Sequence, residues 1–189
     1  MSISMAAVAA SMAVVTGGGL AVGTGQGTHA IAHEHFVAVA DSDTYRAVTY
    51  DTAAVPAGSQ VTVVSHPASD GGTRVALILE GVQPDRTFGA HVHRNRCGAS
   101  PGDSGSHYQN VPDPVTPSTD PAYANPDNEI WLDLTTDGHG DGHAVAAVGW
   151  RFRAGEAASV VVHEHATDTH PGHAGTAGAR LACVDVPLS

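Results

Sequence analysis

Short alternating or apolar runs separated by turn residues are the feature that most limits how this 189-residue chain can fold. Such runs have the period of β-strands, in which successive side chains point to opposite faces. The segments between them contain Gly, Pro and Asp, which favour tight turns. No segment has a convincing amphipathic helix pattern, so we expect an all-β sandwich or flattened barrel. The eight predicted strands are 47–51, 60–65, 74–80, 88–93, 129–135, 143–150, 158–163 and 180–186.

Two long stretches without strand character interrupt this pattern. Residues 98–128 contain six prolines, and residues 165–179 are rich in Gly, His and Thr. Loops of this length in a compact domain are usually either functional or disordered. Both begin beside a candidate metal ligand, which favours function.

Histidines are the candidate ligands. His91 and His93 alternate within a predicted strand, so both imidazoles lie on the same face of a sheet. His107, in Gly105-Ser-His-Tyr, is near enough in sequence to fold back toward them, and His163 ends a distant apolar run. Four imidazoles favour copper or zinc over cations that prefer oxygen ligands. Spacing alone does not choose between these two metals.

Charge and composition exclude some functions. The formal net charge is −11, all eight basic residues are arginine, and they form no basic run. A chain of this kind is a poor partner for nucleic acid.

The N-terminal region indicates export. The first 32 residues carry no Asp, Glu, Lys or Arg. The apolar run from Met5 to Val15 is too short to span a bilayer but fits the core of a signal peptide. No positive charge precedes this run, as it does in a typical signal peptide. Ala30-Ile-Ala32 is a small-x-small cleavage site. We therefore predict a signal peptide at 1–32, a flexible segment at 33–45 and one domain at 46–189. The mature protein would be secreted or held at the cell envelope, with no membrane span.

Cleavage after Ala32 would leave a mature chain that begins His33-Glu-His35. A free amine with a histidine in third place chelates Cu(II) or Ni(II). The alternative is a disordered polar terminus, which is the more ordinary state of such a segment.

Export also makes the two cysteines informative. In an oxidising compartment Cys97 and Cys183 are expected to form a disulfide. The bond would fix the loop after His93 to the C-terminal strand. Two free thiols or a thiolate metal site are weaker alternatives, because the chain has no CxxC spacing.

Five segments together, in this order, resemble the copper/zinc superoxide dismutase (SOD) family. They are Gly89-Ala-His-Val-His, the following cysteine, Gly-Ser-His-Tyr, Val-Val-His-Glu, and the C-terminal stretch from Gly175 to Cys183. The resemblance covers most of the mature chain, and it implies an eight-stranded antiparallel Greek-key barrel or sandwich with two long functional loops.

Site roles follow from the resemblance by position. It implies that His91, His93 and His163 are copper ligands and that His107 is the histidine shared between copper and zinc. It implies that Cys97 and Cys183 form the family's disulfide. Arg180 resembles the arginine that guides the anion to copper. Arg94 and Arg96 either add to a positive funnel or are solvated loop charges unrelated to the substrate.

The zinc half of the family pattern is missing. The chain has no histidine between His107 and His139, so we expect the zinc site to be absent. His139 and His143 are interpreted as solvated turn residues. The loop from His163 to Arg180 is short and lacks the expected lysine and acidic pair. Both departures resemble the copper-only branch of the family.

Without zinc, the second ring nitrogen of His107 needs another partner, because such partners fix a ligand's tautomer. Asp127 or Glu129 are the candidates to accept that hydrogen bond.

The expected function is therefore an exported, copper-dependent superoxide dismutase that converts superoxide to dioxygen and hydrogen peroxide. The first alternative is a non-catalytic copper-binding or copper-buffering protein on the same fold, which would have no need of Arg180. A zinc hydrolase is the second alternative, but no residue is evidently placed as its general base. The sequence leaves the oligomeric state open.

Overall fold

The computed structural model describes residues 29–188, and the expected signal-peptide core at Met5–Val15 lies outside them. Within residues 29–188 the chain forms short strands and two 3-10 turns, and no α-helix. No helix in this part of the chain is long and apolar enough to cross a membrane. The strands are β1 Ala30–His35, β2 Val37–Ala38, β3 Ala47–Thr49, β4 Gln60–Pro67, β5 Thr73–Glu80, β6 Thr87–Phe88, β7 Ala90–His93, β8 Leu134–Thr135, β9 Gly142–Val148, β10 Ala157–His163 and β11 Arg180–Leu188.

Two larger sheets form a sandwich. One sheet has the order β1-β4-β5-β9 and is antiparallel throughout, and the other has the order β2-β3-β11-β10-β7, with one parallel pair between β2 and β3. Strands β6 and β8 form a separate two-stranded ribbon. The all-β prediction is confirmed as a sandwich. No strand pairing within residues 29–188 joins the two larger sheets into a closed barrel.

The core lies between the sheets and follows the period of the strands. In β4 and β5 every second residue is buried, including Val61, Val63, Leu77 and Leu79, because only one face of that sheet contacts the other. Strand β10 is buried on both faces. On its second face Val161 packs with Val48 and Cys183, and Ser159 donates to the carbonyl of Asn95, so polar groups on that side are buried.

One predicted strand, 88–93, divides at Gly89 into β6 and β7. A Cβ atom at Gly89 would lie 2.6 Å from the carbonyl oxygen of His165 and 2.8 Å from Cβ of Ala177. The backbone of the second long loop therefore packs directly on this position, which only glycine permits. The amide of Gly89 donates to the His165 carbonyl at 2.7 Å.

A second predicted strand, 129–135, is mostly loop. Only Leu134–Thr135 form a strand, and Trp131 makes an isolated antiparallel bridge to His91. The amide of Leu132 also donates to the carbonyl of Ala90 at 2.7 Å, so this stretch lies beside β7 without a continuous strand ladder.

The N-terminal segment contains paired strands. Strand β1 crosses the expected cleavage point after Ala32 and pairs along its length with β4, from Ala30 opposite Ser65 to His35 opposite Gln60. Residues 33–45, expected to be flexible, thus contain half of β1, all of β2 and a 3-10 turn at Val39–Asp41. Cleavage after Ala32 would divide β1.

The predicted disulfide joins Cys97, in the loop after β7, to Cys183 in β11, across a sequence separation of 86 residues. Asp185 reinforces the connection, because its carboxylate accepts from the Cys97 amide and from Nε of Arg96, each at 2.7 Å. The loop that carries His107 is therefore anchored to the C-terminal strand.

Replacing both cysteines with serine is expected to lower the free energy of unfolding by about 4.5 kcal/mol, because the unfolded chain regains the entropy of an open loop of this length. Urea denaturation of the double variant and of the oxidised parent, with the reduced parent as control, measures the difference. Equal stability of the variant and the oxidised parent would show that the bond does not stabilise the fold.

Candidate metal centre

Four histidines converge at one end of the sandwich. His91 and His93 lie on β7, His107 bridges to His93 from the loop that follows, and His163 ends the neighbouring strand β10. The pairing of β10 with β7 sets Val161 opposite His91. Each of the four rings offers one nitrogen that lies within 4.8 Å of the others, and three of the rings are fully or almost fully buried. The four histidines singled out in the sequence are thus in one cluster.

Three of the rings have one nitrogen held by a protein partner. Nδ1 of His93 is 3.0 Å from the carbonyl oxygen of Gly105, Nδ1 of His107 is 2.8 Å from Oε2 of Glu129, and Nε2 of His91 is 2.7 Å from Oγ1 of Thr167. A neutral imidazole that donates through one nitrogen carries a lone pair on the other. Each of these rings can therefore offer its remaining nitrogen to a metal ion.

The remaining nitrogens fit a metal ion. Nδ1 of His91 is buried and has no hydrogen-bond partner, and Nε2 of His93 lies 3.3 Å from Nε2 of His163. A buried polar atom without a partner is costly, and several lone pairs at one point repel one another unless a cation lies between them. An all-imidazole donor set suits copper or zinc.

Burial keeps the rings neutral, which metal binding requires. The pKa values of His91 and His93 lie well below 6.5, because burial disfavours the charged form and because a charge on His107 or His163 would repel a second one. The pKa of His163 falls to about 3 for the same two reasons.

Glu129 is the partner of His107. Its carboxylate is 2% exposed, and besides His107 it accepts from Nε2 of Gln109 at 2.8 Å and from Nε1 of Trp131 at 2.7 Å. Three donors stabilise a buried carboxylate. Asp127, the other expected candidate, has an exposed side chain, and its backbone carbonyl accepts from Nε1 of Trp150. Of the two candidates, Glu129 contacts His107 and Asp127 does not.

A cavity of about 550 Å³ opens beside the histidines, and His107, His163, Glu129 and Arg180 line it. The two long loops supply most of its remaining wall, through residues 115–119 and 175–178. Both loops expected to be functional therefore border the histidine cluster. Small molecules in solvent can reach His107 and His163 through this opening.

Arg180 is fixed at the wall of the cavity. Its Nη1 donates to the carbonyl oxygen of Pro101 at 2.9 Å and to Oγ of Ser104 at 3.0 Å. Burial lowers its pKa below the ordinary value for arginine, but a guanidinium stays charged at neutral pH. The side chain thus holds a positive charge in place next to His163.

The other candidates lie elsewhere. Arg96 pairs with Asp185, and Arg94 is exposed, so neither lines the cavity. His139 lies in the turn before β9 and His143 within β9, in the opposite sheet. His33 and His35 lie on β1, where their Nδ1 atoms contact Thr62 and Gly58.

Sequence reasoning missed four residues that support the rings: Gln109, Trp131, Asp133 and Thr167. Gln109 and Trp131 contact Glu129, whereas Thr167 and Asp133 act on His91. No local pattern marks Gln109 or Thr167. Only the alternation of Glu129, Trp131 and Asp133 was a signal, since period two places three polar-tipped side chains on one face.

Comparisons with known proteins show the fold. No family model and no curated protein sequence matches the chain. Among solved structures, the clock protein EA4 is similar with a TM-score of 0.56 and 17% identity, over 87% of this chain and 96% of that one. A double mutant of a SOD-like protein from Bacillus subtilis has a TM-score of 0.53 and 16% identity, over 68% of this chain and 88% of that one. A single mutant of the same protein has a TM-score of 0.53 and 15% identity, over 76% of this chain and 96% of that one. The chain therefore has a SOD-like fold.

The metal-free protein is expected to lose stability as the pH falls from about 6.5 toward 3. An unfolded chain binds protons on these histidines below their ordinary pKa of 6.5, whereas the folded chain holds the pKa of His163 at about 3, so each proton taken up favours unfolding. One ring contributes a slope of about 1.4 kcal/mol per pH unit within this window. Urea denaturation at a series of pH values measures the slope, with His163→Gln as the variant that removes one ring. An identical slope in parent and variant would contradict the assignment.

Proposed function

We propose that the protein is an exported copper-dependent superoxide dismutase that works without zinc. The observation that carries the proposal is the convergence of four imidazoles, with one nitrogen each within 4.8 Å, beside an open cavity whose wall holds Arg180. The donor set suits a redox metal, and the cavity with its fixed cation suits a small anion. The SOD-like fold supports the same function.

The chain's own residues would provide the binding and orientation. Neutral His91, His93, His107 and His163 would hold copper through the nitrogens that have no other donor or acceptor role. The chemistry that copper supplies when bound is one-electron oxidation of one superoxide and one-electron reduction of the next. Arg180 would attract superoxide into the cavity and orient it by hydrogen bonds. Across the two half-reactions, two superoxide ions and two protons from solvent give one dioxygen and one hydrogen peroxide.

Two features support the absence of zinc. Nδ1 of His107 faces the carboxylate of Glu129 at 2.8 Å, so this nitrogen already has a protein partner. The chain also has no histidine between His107 and His139 to complete a site of the family kind. In place of zinc, Glu129 would orient the His107 ring so that its Nε2 faces copper.

The disulfide supports export. Structural disulfides persist in oxidising compartments and are rare in reducing ones. The Cys97–Cys183 bond fixes the loop that carries His107, so the centre itself would depend on an oxidising environment. We assign the protein to the outside of the cytoplasm, free or held at the cell envelope.

A non-catalytic copper-binding protein is the second candidate. The pairing of Arg180 with Pro101 and Ser104 is the observation in its favour, because these contacts give the side chain a structural role that requires no substrate. Activity separates the two candidates.

The purified protein, loaded with copper, is expected to bind one copper and no stoichiometric zinc, and to dismutate superoxide at a rate limited by encounter. Elemental analysis and pulse radiolysis measure the two quantities. Tight copper binding with negligible turnover would favour the second candidate, and stoichiometric zinc would contradict the zinc-free assignment.

Arg180→Met is expected to lower kcat/KM about tenfold and to weaken its dependence on ionic strength, because a fixed positive charge speeds the encounter with an anion. Arg94→Met is the matched control, since it removes an exposed arginine from the region of the centre and should change kcat/KM less than twofold. Equal losses in the two variants would show that Arg180 has no special role.

Glu129→Gln is expected to weaken copper binding 10- to 100-fold, because loss of a ligand's hydrogen-bond partner typically has an effect of this size. The glutamine keeps the volume of the side chain but not its charge. Asp127→Asn makes the same chemical change at an exposed site and should leave copper affinity as it is in the parent. Competition with a calibrated chelator measures both, and similar affinities in the two variants would contradict the role of Glu129.

A further inference from the structure

We propose that Thr167 and Asp133 are positioning residues that fix the tautomer and orientation of His91, so that its Nδ1 faces the metal. The inference rests on the proposed function in so far as the metal is copper. It goes beyond that function because it assigns roles to two residues that neither bind the metal nor line the cavity.

The direction of each hydrogen bond follows from the number of hydrogens available. Oγ1 of Thr167 lies 2.6 Å from Oδ1 of Asp133 and 2.7 Å from Nε2 of His91. A hydroxyl has one hydrogen, and the ionised carboxylate can only accept, so the hydroxyl donates to Asp133. Its oxygen must then accept from His91, and Nε2 of His91 carries the proton.

The consequence lies at the other side of the ring. A neutral imidazole protonated on Nε2 has its lone pair on Nδ1. In His91 this atom is buried, has no partner, and belongs to a ring that burial keeps neutral. Because Asp133 accepts the hydroxyl hydrogen, Thr167 accepts from Nε2 of His91, and the lone pair of the ring lies on Nδ1.

Asp133 holds Thr167 at two points. Its Oδ2 accepts from the backbone amide of Thr167 at 2.7 Å, while its Oδ1 accepts from the hydroxyl and lies 3.4 Å from the amide of Ala90 at the start of β7. One carboxylate therefore ties the second long loop to the strand that carries His91. The hydroxyl cannot rotate away from His91 without losing its bond to Asp133.

Gly89 makes this approach possible. A Cβ atom there would lie 2.6 Å from the carbonyl oxygen of His165 and 3.2 Å from Oγ1 of Thr167. Any side chain would move residues 165–167 away from β7 and separate the hydroxyl from His91. The glycine two residues before His91 is thus required by the loop that packs on it.

His91 differs from the other rings in the kind of partner it has. His107 meets a carboxylate directly and His93 meets a backbone carbonyl, but His91 meets a neutral hydroxyl with a carboxylate behind it. A side chain at this position must both accept from His91 and donate to Asp133. Serine satisfies this requirement, and valine, which has nearly the shape of threonine, does not.

The direct test is the tautomer of His91 in the metal-free protein, measured by long-range proton–nitrogen correlation NMR. The parent and Thr167→Ser are expected to show His91 protonated on Nε2. Thr167→Val should shift the ring toward protonation on Nδ1, because the acceptor is gone. Thr169→Val is the matched control, since it removes an exposed threonine hydroxyl two residues away in the same loop.

The second measurement is copper affinity, by competition with a calibrated chelator. Thr167→Val is expected to bind copper 10- to 100-fold more weakly than the parent, with Thr167→Ser and Thr169→Val within threefold of it. Should Thr167→Val fail to fold, Thr167→Ala replaces it, with the same change of tautomer and the same loss of affinity expected because alanine also offers His91 no acceptor. A parent-like tautomer and affinity in whichever of these two variants folds would overturn the inference.

These results are independent of turnover. A protein in which the valine variant changes tautomer and copper affinity, but whose parent does not dismutate superoxide, would contradict the proposed function and leave the positioning role intact. A protein that dismutates superoxide equally well with threonine or valine, and with unchanged tautomer and affinity, would contradict the positioning role alone.

Discussion

The hydrogen bonds made by the outer nitrogens of the histidines are the interaction on which this centre depends. A cluster of buried neutral imidazoles has no intrinsic reason to direct its lone pairs to one point, because each ring has two tautomers and can rotate. Glu129, the Gly105 carbonyl and Thr167 remove that freedom for three of the rings. These bonds hold each of the three rings in one orientation and leave its other nitrogen available as a ligand.

The sandwich contributes rigidity, and the loops contribute the chemistry. Strands β7 and β10 fix the backbone positions of His91, His93 and His163 through regular pairing. The partners of the rings come from outside these strands, and the second long loop reaches its place by packing on Gly89. The disulfide holds the first loop to β11. A mobile loop would leave His107 or Thr167 at a variable distance, and the precision of the centre would be lost.

The same packing explains which carboxylate serves each ring. Glu129 and Asp133 both follow the first long loop, where regular strand pairing fails, and their side chains reach two different histidines. Asp127 is two residues before Glu129 but projects into solvent. Which of these neighbouring acidic residues contacts a histidine, directly or through Thr167, thus depends on where the chain turns toward β7. Local sequence does not specify the position of that turn.

The sequence alone determined the all-β class, most of the strands, the disulfide and the group of four histidines. Period-two alternation and the pairing of two cysteines are local or unique features, so they need no knowledge of the fold. The choice of sandwich over closed barrel, the division of one strand at Gly89 and the pairing of β1 across Ala32 were decided by tertiary structure. So were the partners of the rings, above all Thr167 and Asp133, which are 34 residues apart. Contacts over such separations depend on how two loops pack on one strand, and that packing is a property of the whole folded chain.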